Sequence, residues 1–381
     1  MTMNFKNSKN EALKQLDFFL SDKIKEYSQK RNFDYGPNKR ENVSCLSPYF
    51  THRLINEYDT IKKVLDKYSY IEVEKFIQEI FWRIYWKGWL EQRPKVWSDF
   101  LSDLKEINQD SNYLRAINGE TNINCFNDWV RELKENNYLH NHSMMWFASI
   151  WIFTLRLPWQ KGAEFFMKYL LDGDAASNTL SWRWVAGLQT KGKNYLAKSF
   201  NISKFTNNRY NNTKLIEDAI PLKDQRDYKP KKIELSDKID NYGNLIVFEN
   251  DLDIEKIKFS KYNQIHFVLL KNDERYLKLD DKVIKFKRKL LESKFSLVEN
   301  KNGVLSGNQL RSFLENQKFL HVVYPSVGEN LTFLKKLTKE KNLEVSYIIK
   351  PEDQYCWQFS DKGYFNFKSN IPKILSHLKL N

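Results

Sequence analysis

The first 220 residues carry apolar side chains at helical spacing in one segment after another. Apolar residues recur every three or four positions, which is the period of an amphipathic helix. We therefore predict an almost all-α region. Its clearest helical segments are LKQLDFFLSDKIKEYSQK, YIEVEKFIQEIFWRIYWKGWLEQ, CFNDWVRELKENN, HSMMWFASIWIFTLRL and WQKGAEFFMKYLLDG.

The pattern changes after KDQRDYKPKK, a charged stretch with a proline that is typical of an interdomain linker. Short β-branched runs follow (NLIVFEN, QIHFVLL, FSLVEN, FLHVVYP and LEVSYII), and ENLTFLKKLTKEK between two of them has a helical pattern. Strands that alternate with helices indicate a small α/β domain with a Rossmann-like sheet. The predicted division is an all-helical domain over 1–222, a linker over 223–236 and an α/β domain over 237–381.

Length and composition agree with two folded domains. The chain has 381 residues, of which 41% are hydrophobic and 29% charged, which excludes a disordered or fibrous protein. Cys45, Cys125 and Cys356 lie far apart without a CxxC pair, so we predict buried, reduced thiols and no metal site. Because no apolar run has the length of a signal peptide or a membrane span, we expect a cytoplasmic protein without a membrane partner.

The net charge of +14 favours an anionic partner such as nucleic acid. Lysine-rich composition is weak evidence by itself, because AT-rich genomes also favour lysine codons. The basic excess is shared by both halves of the chain, so a nucleic-acid surface would have to be assembled by folding.

No Walker A, GxGxxG, GxSxG or HExxH motif occurs, so the common nucleotide, hydrolase and zinc-protease functions have no support. The densest unusual segment is LDGDAASNTLSWRW, in which Asp172 and Asp174 precede Asn178, Trp182 and Trp184. Acids between small residues commonly cap helices, and this interpretation stays open for the two aspartates.

Three upstream segments add further candidates. EIFWRIYW brings Glu79, Trp82 and Arg83 to one helical face at i, i+3 and i+4. NVSCLSPYF places Ser44 and Ser47 at a helix start, where hydroxyls and free N–H groups can hold a phosphate. LHNHSMMW supplies two histidines and two methionines around an asparagine.

Taken in order, these four segments resemble the FAD-binding domain of the DNA photolyase and cryptochrome family. The resemblance spans roughly residues 10 to 215, and SWRWVAGLQTKGKNYLAKSFNISKFT is similar to the family's most recognisable stretch. It implies an all-helical flavin-binding fold with FAD as cofactor. The positions that it assigns to FAD are Tyr27, Ser44, Leu46 (through its backbone), Ser47, Arg83, Asn141, Asp172, Asp174 and Asn178.

The chemistry of these residue types supports the assignment. The serines suit the diphosphate of FAD, and the Arg83 guanidinium suits a site beside the flavin and its phosphates. The two aspartates match acids at the flavin ring edge and at the ribose side. Asn178 matches the residue that faces flavin N5, where an amide can bond either the oxidised or the reduced nitrogen, and an asparagine there favours repair.

The resemblance also implies a substrate pocket for a pyrimidine dimer that is flipped out of the DNA. Indoles there can stack on bases, and a carboxyl and an amide can bond the carbonyl and imide groups of the dimer. The residues that match this pocket are Glu79, Trp82, Asn141, Met145 and Trp184. Four other tryptophans, which have no such match, are predicted to be core: Trp86, Trp89, Trp129 and Trp146.

The chain departs from the family in two parts of the site. His142 and Met144 stand where the family usually has arginines, one of which pairs with the acid that matches Asp172; Arg183 is the predicted replacement. Trp182 and Trp159 match the inner members of the family's light-driven electron-transfer chain. Glu106 occupies the outer position, so the path ends at Trp159 or detours through Trp151, Trp146 or Tyr113.

Domain order is the largest departure. Photolyases place an α/β antenna domain before the FAD domain, whereas here the sheet region follows it. NLIVFENDL and QIHFVLL are similar to the opening strands of that antenna domain, so we expect either a permuted antenna-like domain or an unrelated α/β module that assists DNA binding or packs on the helical half. A second, antenna chromophore stays unassigned.

The function implied is light-driven, FAD-dependent repair of cyclobutane pyrimidine dimers by a carbon–carbon lyase, with dimer-containing DNA as partner and a monomer as the expected state. The alternative is a cryptochrome-like blue-light photoreceptor without repair activity. A third possibility, repair of (6-4) products, ranks lower because such enzymes usually carry paired histidines where this chain has His140 followed by Asn141.

Overall fold

The computed structural model describes residues 5–233, 242–298 and 303–381. Its first half is helical, as predicted. The helices are α1 (Lys9–Phe18), α2 (Ile24–Lys30), α3 (Ser47–Thr51), α4 (Glu57–Leu65), α5 (Tyr70–Glu91), α6 (Lys95–Glu106), α7 (Ser111–Asn118), α8 (Asn124–Asn136), α9 (Asn141–Ser149), α10 (Trp159–Tyr169), α11 (Ala175–Val185) and α12 (Ser199–Phe205). Single π-helical turns at Phe19–Lys23 and Ile150–Thr154 follow α1 and α9.

The second half is a parallel sheet with helices. Its elements are β1 (Asn244–Phe248), β2 (Gln264–Val268), α13 (Asp281–Glu292), β3 (Val304–Leu305), α14 (Gly307–Phe313), β4 (Phe319–Val323), α15 (Glu329–Glu340), β5 (Glu344–Ile348), α16 (Pro351–Trp357), α17 (Tyr364–Ser369) and α18 (Ile371–His377). The strand order is β3-β2-β1-β4-β5, with every pair parallel. This is a doubly wound α/β arrangement, so the predicted combination of an all-α region and a Rossmann-like sheet is confirmed.

One predicted strand is wrong. FSLVEN does not pair in the sheet over its described residues; Phe295–Leu297 forms a single 3₁₀ turn, and residues 299–300 lie outside the described part of the chain. The Phe295 ring packs on Phe267 of β2, so this apolar run serves packing after α13. The edge position is taken by β3, whose two residues are too few to give an alternating pattern.

Alternate residues of β1 face two different cores. Ile246 and Phe248 lie in a small core that includes Leu334 and Leu337 of α15. Leu245 and Val247 belong instead to the main core, which continues without a break into the helical half. The two halves therefore share one hydrophobic core.

Helix α5 is the main contact of the helical half with α16 and α17. A Cβ on Gly88 would lie 2.6 Å from both Trp357 Cδ1 and Ser360 Oγ, so only glycine allows α16 to approach this closely. Gln92 donates a hydrogen bond to the Trp357 carbonyl, and Tyr85 donates one to the carbonyl of Lys362. The described part of the predicted linker lies along the same region, where the Lys231 N–H bonds the Gln92 carbonyl.

The predicted core residues behave as expected, with one partial exception. Trp86, Trp129 and Trp146 are buried, whereas Trp89 is half-buried beneath the Arg93 guanidinium. The three cysteines are buried and free, as predicted. Among the described residues, no helix combines the length and the apolar character needed to cross a bilayer.

Candidate functional site

A chain of hydrogen bonds links α3, α5 and the loop before α11 at the centre of the helical half. Ser47 Oγ donates to Asp172 Oδ2, and Thr51 Oγ1 donates to the Asp172 carbonyl. Arg83 bridges the other side: its Nη1 lies 2.8 Å from Thr51 Oγ1 and 3.1 Å from Asp174 Oδ2. Four predicted cofactor residues, Ser47, Arg83, Asp172 and Asp174, thus lie side by side.

The two aspartates have different surroundings. Asp174 caps α11, because its Oδ1 accepts hydrogen bonds from the Ala176 and Ser177 N–H groups, so the helix-capping interpretation holds for this residue. Burial opposes ionisation of Asp174, but the charges of Arg83 and then Lys87 lower its pKa. Burial raises the pKa of Asp172, with only partial compensation from Ser47.

Arg183 is not the partner of Asp172, contrary to the prediction. Its Nη1 pairs with Asp224 Oδ2 at 3.2 Å, and its guanidinium lies over the rings of Tyr228 and Trp159. The serine hydroxyl of Ser47 takes the place of a cation beside Asp172.

The remaining predicted phosphate-side residues lie around a tight turn. Cys45 has a left-handed φ of 52°, which turns the chain between Ser44 and α3. The Leu46 carbonyl accepts the first hydrogen bonds of α3, from the Tyr49 and Phe50 N–H groups. The Tyr27 ring packs edge-on against Phe76 of α5 and against the ring of Phe19. These two contacts fix the position of the Tyr27 side chain against α5.

Asn178 and Trp182 lie one turn apart on α11. Asn178 Nδ2 donates to the Ala163 carbonyl at 2.9 Å, which fixes the amide against α10. Trp182 is buried, and its indole packs on the backbone of Gly162, where a Cβ would come within 2.2 Å of Trp182 Cη2. Helix α10 thus determines the positions of both side chains.

We expect Gly162→Ala to displace the Trp182 indole and to lower the free energy of unfolding by about 1–3 kcal/mol, since overpacking forces a rigid ring to move. Unfolding in urea, followed by near-ultraviolet circular dichroism, measures both effects. Gly363→Ala is the matched control, because no atom lies within 4 Å of a Cβ built there. Equal losses of stability in the two variants would contradict the packing argument.

Glu79, a residue of the predicted substrate pocket, lies four residues before Arg83 on α5. The Glu79 side chain is partly exposed to solvent, and its carboxylate lies 3.8 Å from Arg31 Nε. The surrounding protein raises the pKa of Glu79, and the positive charge of Arg31 opposes this shift. Asn32 follows Arg31 in the chain, and its carbonyl is hydrogen-bonded to His142 Nδ1 at the start of α9. The end of α2 therefore joins Glu79 to the helix that carries Asn141 and Met145.

The two pocket tryptophans have different neighbours. Trp184 stacks on Tyr195 with ring centroids 5.6 Å apart, and the Tyr195 hydroxyl lies 3.4 Å from His142 Nε2, which links Trp184 to α9. Trp82 packs against Tyr364 of α17, with ring centroids 3.5 Å apart. The Tyr364 hydroxyl donates to the Gln78 carbonyl, so α17 covers one side of the Trp82 indole.

Sequence reasoning missed several residues of this site. Thr51 connects Asp172 with Arg83 through hydrogen bonds. The sequence does contain a sign of this role, because Thr51 lies four residues after Ser47 and therefore on the same helical face. Arg31 follows an otherwise ordinary polar helix, and Tyr364 lies 282 residues beyond Trp82. Nothing local in the sequence indicates the position of either side chain.

The cluster contains buried polar atoms that a bound polar cofactor could pair with. Within the described chain, Asp172 Oδ1 and the Ser177 hydroxyl are buried without a hydrogen-bond partner. Burying such groups unpaired costs about 1–3 kcal/mol each, so an added ligand is favoured. Most assigned cofactor residues remain partly exposed although they lie between packed helices: Tyr27, Ser44, Ser47, Arg83, Asp172 and Asp174. Hydroxyls, a guanidinium and carboxylates at one place fit the diphosphate, ribose and ring edge of FAD.

Comparison with known proteins agrees with this geometry. The profile of the FAD binding domain of DNA photolyase matches residues 76–240. A deoxyribodipyrimidine photo-lyase of Streptomyces griseus is 30% identical over 150 residues, which cover 39% of this chain and 33% of that protein. One of Agrobacterium fabrum is 28% identical over 183 residues, with 46% of this chain and 37% of the relative covered.

Solved structures also match. A class III photolyase from Agrobacterium tumefaciens aligns with a TM-score of 0.46 and 25% identity, covering 52% of this chain and 43% of the other. A Synechocystis cryptochrome aligns with a TM-score of 0.47 and 21% identity, covering 54% and 44% of the two chains.

The matched region contains the part of the site that runs from Arg83 on α5 to Asn178 on α11, whereas Ser47 and Thr51 of α3 lie before it. The chain spans about a third to two fifths of the length of these curated relatives. The profile and the relatives agree with the flavin-compatible chemistry of the cluster, and residues 76–240 of this chain are therefore similar to the FAD binding domain of DNA photolyase.

Proposed function

We propose that this protein repairs cyclobutane pyrimidine dimers in DNA, using light and reduced FAD. The observation that supports this proposal most directly is the position of Glu79, a solvent-accessible carboxyl held next to the Ser47–Arg83–Asp174 cluster by its place on α5. Bound FAD would supply the light absorption and the single electron that opens the cyclobutane ring. The tasks of the protein are to hold the cofactor, to receive the lesion and to exchange hydrogen bonds with it.

Each proposed role follows from residue chemistry. Ser44 and Ser47 with the Leu46 backbone would hold the diphosphate, while Arg83 supplies positive charge beside it. Asp172 and Asp174 would accept hydrogen bonds from the cofactor, and Asn178 would face the flavin ring.

The substrate side would use a different set of groups. Trp184 and the uncovered side of Trp82 offer stacking surfaces for a flipped dimer, each worth about 1–3 kcal/mol per base. Glu79 has a raised pKa, which suits a carboxyl that donates a hydrogen bond to a carbonyl that gains negative charge. Asn141 would bond the dimer edge and adjoin the cofactor, with Met145 packed beside it.

The DNA partner is proposed on charge. The chain carries 62 Lys and Arg against 48 Asp and Glu, which favours binding to a polyanion and predicts weaker binding at higher salt. A flipped-out dimer is the form of substrate that can reach a site within the helical half, because base chemistry inside a duplex is sterically blocked.

The test is repair in the light with the flavin chemically reduced beforehand. We expect loss of thymine dimers from an oligonucleotide with the parent protein, and at least about a tenfold lower repair yield with Glu79→Ala, since a lost hydrogen bond to developing charge commonly costs 10²-fold or more. Glu26→Ala, which removes an exposed carboxylate of α2, is the control and should repair normally. Unchanged repair by Glu79→Ala would remove Glu79 from the reaction.

The second candidate is a cryptochrome-like photoreceptor. The contact of Tyr364 with Trp82 favours it, because α17 covers one face of an indole that a lesion would otherwise use. Intact flavin photochemistry without any loss of dimers in the same assay would support the receptor.

We also propose that residues 237–381 form an antenna-like domain in permuted order. The strand order β3-β2-β1-β4-β5 supports a doubly wound domain. The loop after β4 meets the helical half directly: a Cβ on Gly328 would lie 3.1 Å from Ala175 Cβ. An antenna chromophore remains unassigned.

A further inference from the structure

The position of Trp182 raises the question of how an electron reaches the cofactor site from the protein surface. Trp182 lies one helical turn after Asn178, on the side of α11 that meets α10. Its ring neighbours are Phe147, Phe166 and Trp151. Phenylalanine is not oxidised under these conditions, so Trp151 is the next redox-active group.

Trp151 lies against Trp182 at a ring-centroid distance of 6.2 Å and an interplanar angle of 84°. The absence of a side chain at Gly162 makes this approach possible, because a Cβ there would lie 2.2 Å from Trp182 Cη2 and 3.0 Å from Trp151 Nε1. The Trp151 N–H donates to the Pro158 carbonyl at 2.9 Å, an interaction that strengthens when the ring becomes positive.

Tyr113 continues the series toward the surface. Its ring centroid is 5.9 Å from that of Trp151, and 8% of the residue is exposed, whereas Trp151 is fully buried. Burial, followed by the charges of Glu164 and Tyr169, raises the pKa of Tyr113 to about 12, so the phenol is neutral before oxidation. Glu164 also adds negative charge at this end of the series, although its ion pair with Lys161 at 3.0 Å offsets part of it.

Trp159 is less suited to carry the electron. Among the described residues, no ring contact joins Trp159 to Trp182, and its stacked neighbour is Phe100. The Arg183 guanidinium lies 5.9 Å from the Trp159 ring centroid. A fixed cation at this distance disfavours a second positive charge on the indole, although Asp224 offsets part of the effect.

Trp146 is separated from the series as well. It stacks on Trp129 and His142, and no ring contact connects it with Trp151 or Trp182 in the described part of the chain. Of the oxidisable side chains considered for this path, Trp151 and Tyr113 are therefore the two that form a continuous series with Trp182.

We propose that light-driven reduction of the flavin draws its electron through Trp182, Trp151 and Tyr113, with Trp159 outside the path. This inference rests on the proposed flavin photochemistry. Trp182 loses one electron to the photoexcited flavin and regains it from Trp151, which is in turn reduced by Tyr113. Tyr113 releases its phenolic proton toward Glu164 and water, and a thiol in solution returns one hydrogen atom to the tyrosyl radical; two thiyl radicals then combine to a disulfide.

The test compares Trp151→Phe and Tyr113→Phe with Trp159→Phe as the matched control. Oxidised, flavin-loaded protein is illuminated with blue light under excess thiol without oxygen, and the fraction of flavin reduced per unit of light is measured. We expect Trp151→Phe to lose most of the yield and Trp159→Phe to retain it. Reduction by dithionite in the dark should be equal in all variants, which shows that each is folded and loaded.

A second measurement identifies the radical itself. In samples frozen during illumination, electron paramagnetic resonance should detect a tyrosyl radical whose spectrum narrows when tyrosine is ring-deuterated. The signal should vanish in Tyr113→Phe, a variant that removes only a hydroxyl. Loss of photoreduction in Trp159→Phe with normal photoreduction in Trp151→Phe would overturn the route. A protein that binds no flavin would instead overturn the proposed function, and the route with it.

Discussion

Replacing Arg53 by methionine is expected to lower the free energy of unfolding by about 3–5 kcal/mol, because removal of one partner leaves buried charges uncompensated. Arg53 is 3% exposed and lies where the two halves meet. Its guanidinium bonds Glu57 on its own side, and Asp251 and Asp353 on the α/β side, the last through two nitrogens. Methionine fills a similar volume, so lost packing contributes little.

Arg311→Met provides the matched control. Arg311 pairs with Glu340 on the surface, with both side chains more than a third exposed, and such pairs contribute about 0–1 kcal/mol. Urea unfolding of the full chain, followed by tryptophan fluorescence, measures both variants. A cost for Arg53→Met no larger than that of the control would show that the ion cluster does not hold the halves together.

The Arg53 cluster also shows what the sequence could not provide. Seven of the helices (α1, α2, α5, α8, α9, α10 and α15) and four of the five strands follow from local periodicity, since each of these elements has its buried face in its own residues. Arg53 and Asp353 are 300 residues apart, and no local pattern relates them. Contacts of this kind depend on how the halves dock, which is a property of the tertiary fold.

The candidate site also has some residues that the sequence predicts and others that it does not. Arg83 and Asp174 were predicted through resemblance, and they lie together in the structure. The assignment of Arg183 to Asp172 failed because the sequence does not say which segment of the chain packs against each side of α11. Arg183 packs toward Asp224 instead. Similarly, Tyr364 reaches Trp82 only because α17 packs against α5.

Glu91 is expected to make the stability of the protein depend on pH between about 4.5 and 7. Its Oε2 accepts a hydrogen bond from the Tyr324 hydroxyl and its Oε1 from the Val327 N–H, both in the α/β half. Burial raises the pKa of Glu91 from 4.5 to about 7, against these hydrogen bonds and the charges of Lys335 and Lys87.

The direction of the effect follows from proton binding. The folded protein holds the Glu91 proton more tightly than the unfolded chain, so this stabilisation is fully present below pH 4.5 and is lost as the pH rises through 7. A pKa difference of this size corresponds to a loss of about 3 kcal/mol across that range. Above pH 7 the carboxylate is ionised in both states, and no further change comes from this residue.

Glu91→Gln keeps an oxygen acceptor for one of the two donors and cannot ionise. We therefore expect the variant to gain about 3 kcal/mol relative to the parent protein between pH 4.5 and pH 8 in urea unfolding. Glu132 also has a pKa raised to about 7, but it pairs with Arg40 far from this contact, so its titration cancels in the difference between the two proteins. The contradicting result is a difference in the free energy of unfolding between the two proteins that stays constant with pH. That result would mean that Glu91 is ionised in the folded protein over the whole pH range, because its hydrogen bonds to Tyr324 and Val327 stabilise the carboxylate more than burial destabilises it.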